Sequence, residues 1–184
     1  MRNRMARFAE NAGIPKGLRD VFARSGVSLS IADYTAPDCP LIGVNEAFCR
    51  MSGYSAAEVL GRNCRFLQPP GNDMPVRERM RDFINDAEQA DGRFLIPNIR
   101  KDGRPFLNLV YMAKLARDGR DEFILGSQFP IEIGNTASPD VYDRALTEDL
   151  RQINILTTGD NWAVLGSFEA LASSHSIIAR ANLV

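Results

Sequence analysis

The chain has 184 residues, 45% hydrophobic and 24% charged, and its 22 basic and 23 acidic side chains leave a formal charge of −1. A globular chain with no net field for nucleic acid or anionic lipid is expected. One histidine and three cysteines without a Cys-x-x-Cys pair argue against zinc.

Residues 1–26 read as a basic helical cap, split into two short helices by Gly13, Pro15 and Gly17. The segment MRNRMARFAENAG lacks a signal-peptide core, and no run of about twenty apolar residues exists, so a cytoplasmic protein with no membrane span is expected.

Residues 27–133 alternate short strands and helices. Val27–Asp33 and Pro40–Asn45 read as strands, followed by helical turns at Glu46–Met51 and Ala56–Leu60, the second with a Ser55/Glu58 capping box. Arg62–Gln68 is a further turn stopped by Pro69-Pro70-Gly71, and Val76–Ala87 is a longer helix. Strands then follow at Arg93–Arg100, Pro105–Ala113 and Glu122–Ile131. This order predicts an α+β domain with a five-stranded antiparallel sheet and short helices on one face.

Residues 134–184 read as a helical hairpin. Val141, Leu146, Leu150, Ile153 and Leu156 recur at helical spacing, Thr158-Gly159 breaks the pattern, and Trp162, Leu165, Phe168, Leu171 and Ile178 resume it. Arg144, Arg151 and Arg180 face six acidic residues there, which disfavours a DNA-reading motif. His175 stands alone and reads as a surface or interface residue.

Counting outward from the turns at Lys101–Arg104 and Asp118-Gly119 sets Asn98 opposite Asn108, and Asn108 opposite Gln128. Three carboxamides then share one mostly apolar face. Left unpartnered there, each costs about 1–3 kcal/mol. They either bond to one another as a ladder or meet a flat heterocycle with donors and acceptors on its rim. A bulge would send one of them to the opposite face.

The octapeptide Gly61-Arg62-Asn63-Cys64-Arg65-Phe66-Leu67-Gln68 puts a thiol, two amides and two guanidiniums on one turn. Arg65 is suited to clamping a phosphate, and Arg77 and Arg81 can converge with it. Together with Asn45–Tyr54, the Arg100–Gly103 turn, Asn108 and Gly126-Ser127-Gln128, this octapeptide closely resembles the motif of LOV domains. These are the flavin-binding blue-light sensors of the PAS superfamily.

The resemblance spans roughly residues 27–133. It implies an FMN cofactor, with Cys64 adding reversibly to the flavin C4a carbon after blue-light excitation. Asn63 and Gln68 would line the ribityl chain and ring edge, and Arg65 and Arg81 would hold the phosphate. Asn98 and Asn108 would bond the pyrimidine edge. Gln128, near N5 and O4, would turn its amide when N5 gains a proton. Leu107 and Met74 depart from the aromatic and the arginine often found in the family.

The expected output is a change of helix packing or of homodimerisation, with a downstream protein as a further partner and no enzymatic turnover. The alternatives are a flavin redox sensor and a PAS dimerisation module without adduct chemistry. Cys39 and Cys49 are read as structural.

Overall fold

Alternation of apolar and polar residues along the strands builds one sheet with two distinct faces. The computed structural model describes residues 6–10, 12–71, 75–117 and 120–131, and the backbone of 162–165. In chain order the elements are β1 (Arg7–Phe8), α1 (Lys16–Arg24), β2 (Ser28–Asp33), β3 (Leu41–Val44), α2 (Glu46–Ser52) and α3 (Ala56–Val59). A 3₁₀ turn (Cys64–Leu67), α4 (Pro75–Asn85), β4 (Asp91–Ile99), β5 (Pro105–Arg117), β6 (Arg120–Ile131) and β7 (Trp162–Leu165) follow.

The strands form an antiparallel sheet in the order β1-β3-β2-β6-β5-β4, with β7 joined to β5. The five expected strands are its centre. Odd-numbered residues of β2, β5 and β6, among them Leu29, Ile31, Leu115 and Leu125, pack with Leu18, Val21 and Phe22 of α1. The even-numbered face looks toward the 3₁₀ turn and α4.

Two expected helical segments are strands instead. Arg7–Phe8 pairs with Val44 and Gly43 of β3 rather than forming a helix. The cause is tertiary: Gly43 has no side chain, and a Cβ there would lie 2.5 Å from the Phe8 ring. That gap admits the ring, which also stacks at a tilt on Phe22 with centroids 5.5 Å apart.

The predicted helix over residues 162–178 begins as β7. Strand β4 begins only at Asp91, opposite Ala113, and the Lys114 N–H bonds to the Ala90 carbonyl, which leaves the β5 edge beyond Lys114 open, and Trp162–Leu165 pairs along Lys114–Arg117. An unpaired strand edge outweighs a helical apolar spacing. The other helix predicted in 134–184, and the rest of this one, lie outside the described residues.

Asn45 ties α2 to the sheet. Its Oδ1 accepts from the N–H groups of Phe48 (2.9 Å) and Leu29 (3.0 Å), and its Nδ2 donates to the Val27 carbonyl (2.7 Å). All of this is buried. Asn45→Ala removes a helix cap and strands two buried backbone groups, so a loss of about 2–4 kcal/mol is expected. A urea midpoint shift measures it, and an unchanged midpoint would refute the assignment.

At the far end of α4, the fully buried Lys114 donates from Nζ to the Asp86 carbonyl (2.5 Å) and lies 5.1 Å from the Phe83 ring centroid. Tyr34 donates its hydroxyl to the Ile84 carbonyl at 2.9 Å. Both side chains bond carbonyls at the carboxyl end of α4, and so hold α4 over the sheet.

Candidate functional site

A cavity enclosing about 680 Å³, its open mouth included, lies between the even-numbered sheet face, the 3₁₀ turn and α4. The sheet contributes Ile96, Asn98, Asn108, Val110, Ile124 and Gln128 to its lining. The turn contributes Asn63, Cys64, Arg65 and Gln68, and Met80 and Ile84 come from α4.

The register differs from the predicted one by two residues in each hairpin. Ile96, not Asn98, stands opposite Asn108, and Val110, not Asn108, stands opposite Gln128. In the first hairpin the loop between Ile99 and Pro105 has five residues, with Gly103 at φ 86°. A slip of two preserves the face, so the three amides still meet, diagonally rather than side by side.

The second hairpin does contain a bulge. Pairing passes from Ala116–Asp121 to Leu115–Phe123, leaving Glu122 as the extra residue. Continued from Arg117–Arg120 without it, the ladder would set Gln128 opposite Leu109, on the outer face. The bulge thus delivers Gln128 to the cavity instead of removing it.

The amides form a connected chain. Asn108 Nδ2 donates to Asn98 Oδ1 (2.8 Å) and to Gln128 Oε1 (3.1 Å), and Asn98 Nδ2 donates to the Pro97 carbonyl (2.9 Å). Gln128 Nε2 donates to Ser30 Oγ (3.2 Å) and reaches Cys64 Sγ at 4.0 Å. One atom of the chain is left over: Asn108 Oδ1 is buried without a hydrogen-bond partner. An orphaned acceptor in a cavity wall calls for a donor from a ligand.

Sequence reasoning missed Ser30 and gave Gly126 no role of its own at the site. The serine was visible as the polar member of the Leu29-Ser30-Ile31 alternation, which turns it toward the amide face. Gly126 keeps the floor low, since a Cβ there would lie 2.7 Å from Ser30 Oγ. Cys39, read as structural, also lines the cavity.

Burial pushes the Cys64 thiol up to about 12, against a weaker lowering by the Gln128 amide. Its ordinary value is 9.0, so the side chain is a neutral thiol at any physiological pH and not a ground-state thiolate nucleophile. A raised acid pKa contributes stability that is fully present below pH 9 and is lost as pH rises from 9 toward 12. Urea midpoints taken across that range should fall more steeply for the wild type than for Cys64→Ala. Parallel curves would contradict this.

The outer mouth is lined by Asn63, Arg65, Gln68, Arg77 and Arg81. Arg81 sits here and not in the deeper chamber. Arg65 Nη1 lies 2.6 Å from Asp38 Oδ1, and Arg77 Nε donates to Gln68 Oε1 at 2.5 Å. Asn63 Oδ1 caps the 3₁₀ turn by accepting from the Arg65 N–H (2.9 Å), and Nδ2 donates to the Asp38 carbonyl (2.5 Å). Among the described residues, no cluster of three or more His, Cys, Asp or Glu can hold a metal, and no helix is long and apolar enough to cross a membrane.

The fold and cavity define a PAS-type sensor domain, and a PAS domain family model matches residues 28–129. Phototropin-2 of Oryza sativa subsp. japonica is 40% identical over 105 residues, 57% of this chain and 11% of the relative. Blue-light-activated histidine kinase 2 of Erythrobacter litoralis is 38% identical over 140 residues, 74% of this chain and 39% of the relative. The chain therefore spans well under half of either relative's length. Among solved structures, the RsLOV d2 variant superposes with a TM-score of 0.75 at 31% identity, covering 90% of this chain and 94% of that one. The chain belongs to the LOV family of the PAS superfamily.

Proposed function

We propose that this protein is a blue-light receptor that binds a flavin, specifically FMN, in the amide-floored cavity. The observation that carries the reading is the joint placement of Cys64 Sγ, 4.0 Å from Gln128 Nε2, with a partnerless Asn108 Oδ1 in the same cavity lining. When bound, the flavin supplies blue-light absorption and a ring carbon, C4a, that takes the Cys64 sulfur reversibly.

The residues present fit such a group. Asn98 and Asn108 offer donors and acceptors to a pyrimidine edge, while Ile96, Val110 and Ile124 suit its flat hydrocarbon part. Asn63 and Gln68 line the mouth with Arg65 and Arg81, which would hold the phosphate.

Gln128 is the group that changes. Its Nε2 faces Ser30 and Cys64 and its Oε1 accepts from Asn108. Turning the amide exchanges these faces. Ser30 tolerates the exchange because a hydroxyl both donates and accepts. Asn108 does not: its Nδ2 would meet another NH₂ unless it turned too and presented Oδ1.

The strand carrying Gln128 ends at Ile131 and leads into residues 134–184. We assign the output to that segment and the amino-terminal cap, through repacking or a change of homodimerisation. An absorption spectrum of the purified chain before and after blue light, with light scattering alongside, tests the reading. A colourless protein would sink it.

A further inference from the structure

Asp38 occupies the loop between β2 and β3, next to the cavity-lining Cys39, and no role in the flavin reading calls for it. Its carboxylate lies 2.6 Å from Arg65 Nη1, and its carbonyl accepts from Asn63 Nδ2 at 2.5 Å. Asn63 caps the 3₁₀ turn and Arg65 lies within it, and both line the cavity and its mouth, so the pair of contacts clasps the loop to the turn beside the opening. The aim of the carboxylate comes from the backbone. Asp38 and Cys39 sit at φ 69° and φ 44°, two successive left-handed residues without a glycine. Such a conformation persists only where its surroundings enforce it. Here Cys39 N–H donates to the Ala36 carbonyl, and Asp33 Oδ1 accepts from Thr35 and Ala36, so the loop is tightly wound.

We infer that Asp38 is a specificity residue: its carboxylate stands where a ligand phosphate competes for Arg65, and it thereby limits how strongly the site prefers a phosphorylated flavin. This inference rests on the flavin reading above and names what sets the selectivity at its phosphate end. The geometry makes Asp38 a rival anion. Arg65 lines both the cavity and its outer mouth, where Arg77 and Arg81 also stand. A phosphate arriving there must share or take a guanidinium whose charge is already matched. The pair is also displaceable, because its two side chains are 58% and 57% exposed, and exposed pairs hold weakly against solvent and salt. Ligand entry therefore exchanges one anion for another instead of filling an empty clamp. The phosphate gains less from Arg65 than from an unpaired arginine.

The test is a pair of fluorescence titrations, FMN and riboflavin, on wild type, Asp38→Asn, Arg65→Gln and the double variant. Asparagine keeps the shape, the carbonyl that Asn63 needs and the tolerance for left-handed backbone. Asp38→Asn should raise FMN affinity about three- to tenfold, the range expected for releasing one exposed charge pair toward a phosphate. Riboflavin affinity should stay within about twofold, since riboflavin carries no phosphate. In the Arg65→Gln background the same substitution should leave the FMN-to-riboflavin ratio unchanged, because the shared arginine is gone. A ratio that Asp38→Asn lowers or leaves as it is overturns the inference, the first outcome making Asp38 an aid to Arg65 and the second a bystander. Failure of wild type to bind riboflavin and FMN alike would instead remove the flavin reading on which the inference rests.

Discussion

Cys64→Ala is expected to keep its flavin and lose the light response entirely: the blue absorption band should no longer fade under illumination. Cys64 is a neutral, half-buried thiol that the Gln128 amide approaches at 4.0 Å. The proposed function assigns ligand affinity to the amides and the arginines, so removing one sulfur should change it by no more than about tenfold, the weight of a single small contact. The chemistry is different, since adduct formation needs a thiol and Cys64 is the cysteine that the Gln128 amide reaches. Cys39 shares the cavity but lies on the β2–β3 loop. Spectra recorded before and after a blue pulse read the outcome. A response that survived would favour the redox-sensor alternative.

Asn108→Leu has the largest expected effect on binding. Leucine matches the shape but removes the Nδ2 that serves both Asn98 Oδ1 and Gln128 Oε1. Two acceptors are then left in a region where Asn98 and Gln128 are only 4% and 3% exposed. Each such loss costs about 1–3 kcal/mol, partly offset by the added apolar group, so a net loss of about 2–4 kcal/mol of stability is expected. Flavin affinity should fall by about a hundredfold or more, because the ligand loses the free Oδ1 acceptor and both Asn98 and Gln128 lose the contact that orients them. Urea titration and flavin fluorescence separate the two effects. Wild-type affinity in a well-folded variant would show that Asn108 does not meet the ligand.

Much of this site was legible along the chain. Cys64, Asn63, Arg65 and Gln68 are neighbours in sequence, and a short turn keeps neighbours together whether it is α or 3₁₀. Asn98, Asn108 and Gln128 were legible as a set because strand side chains repeat every two residues. An error of two in register therefore moves a residue along a face without turning it over. The Ser55/Glu58 pairing is likewise local, and the Glu58 carboxylate accepts from both the Ser55 N–H (2.9 Å) and the Ser55 hydroxyl (2.8 Å).

The rest depended on partners far apart in sequence. Phe8 becomes a strand residue because Gly43 leaves room for its ring, and Trp162–Leu165 becomes one because β4 begins only at Asp91. Gln128 reaches the cavity through a bulge at Glu122, and Arg65 finds Asp38 from another loop. The chain alone determined which groups are available and which face they share, since periodicity and capping act over a few residues. Only the folded structure decided their register, their edges and their ion pairs, because these depend on which distant surfaces remain open once the sheet has formed.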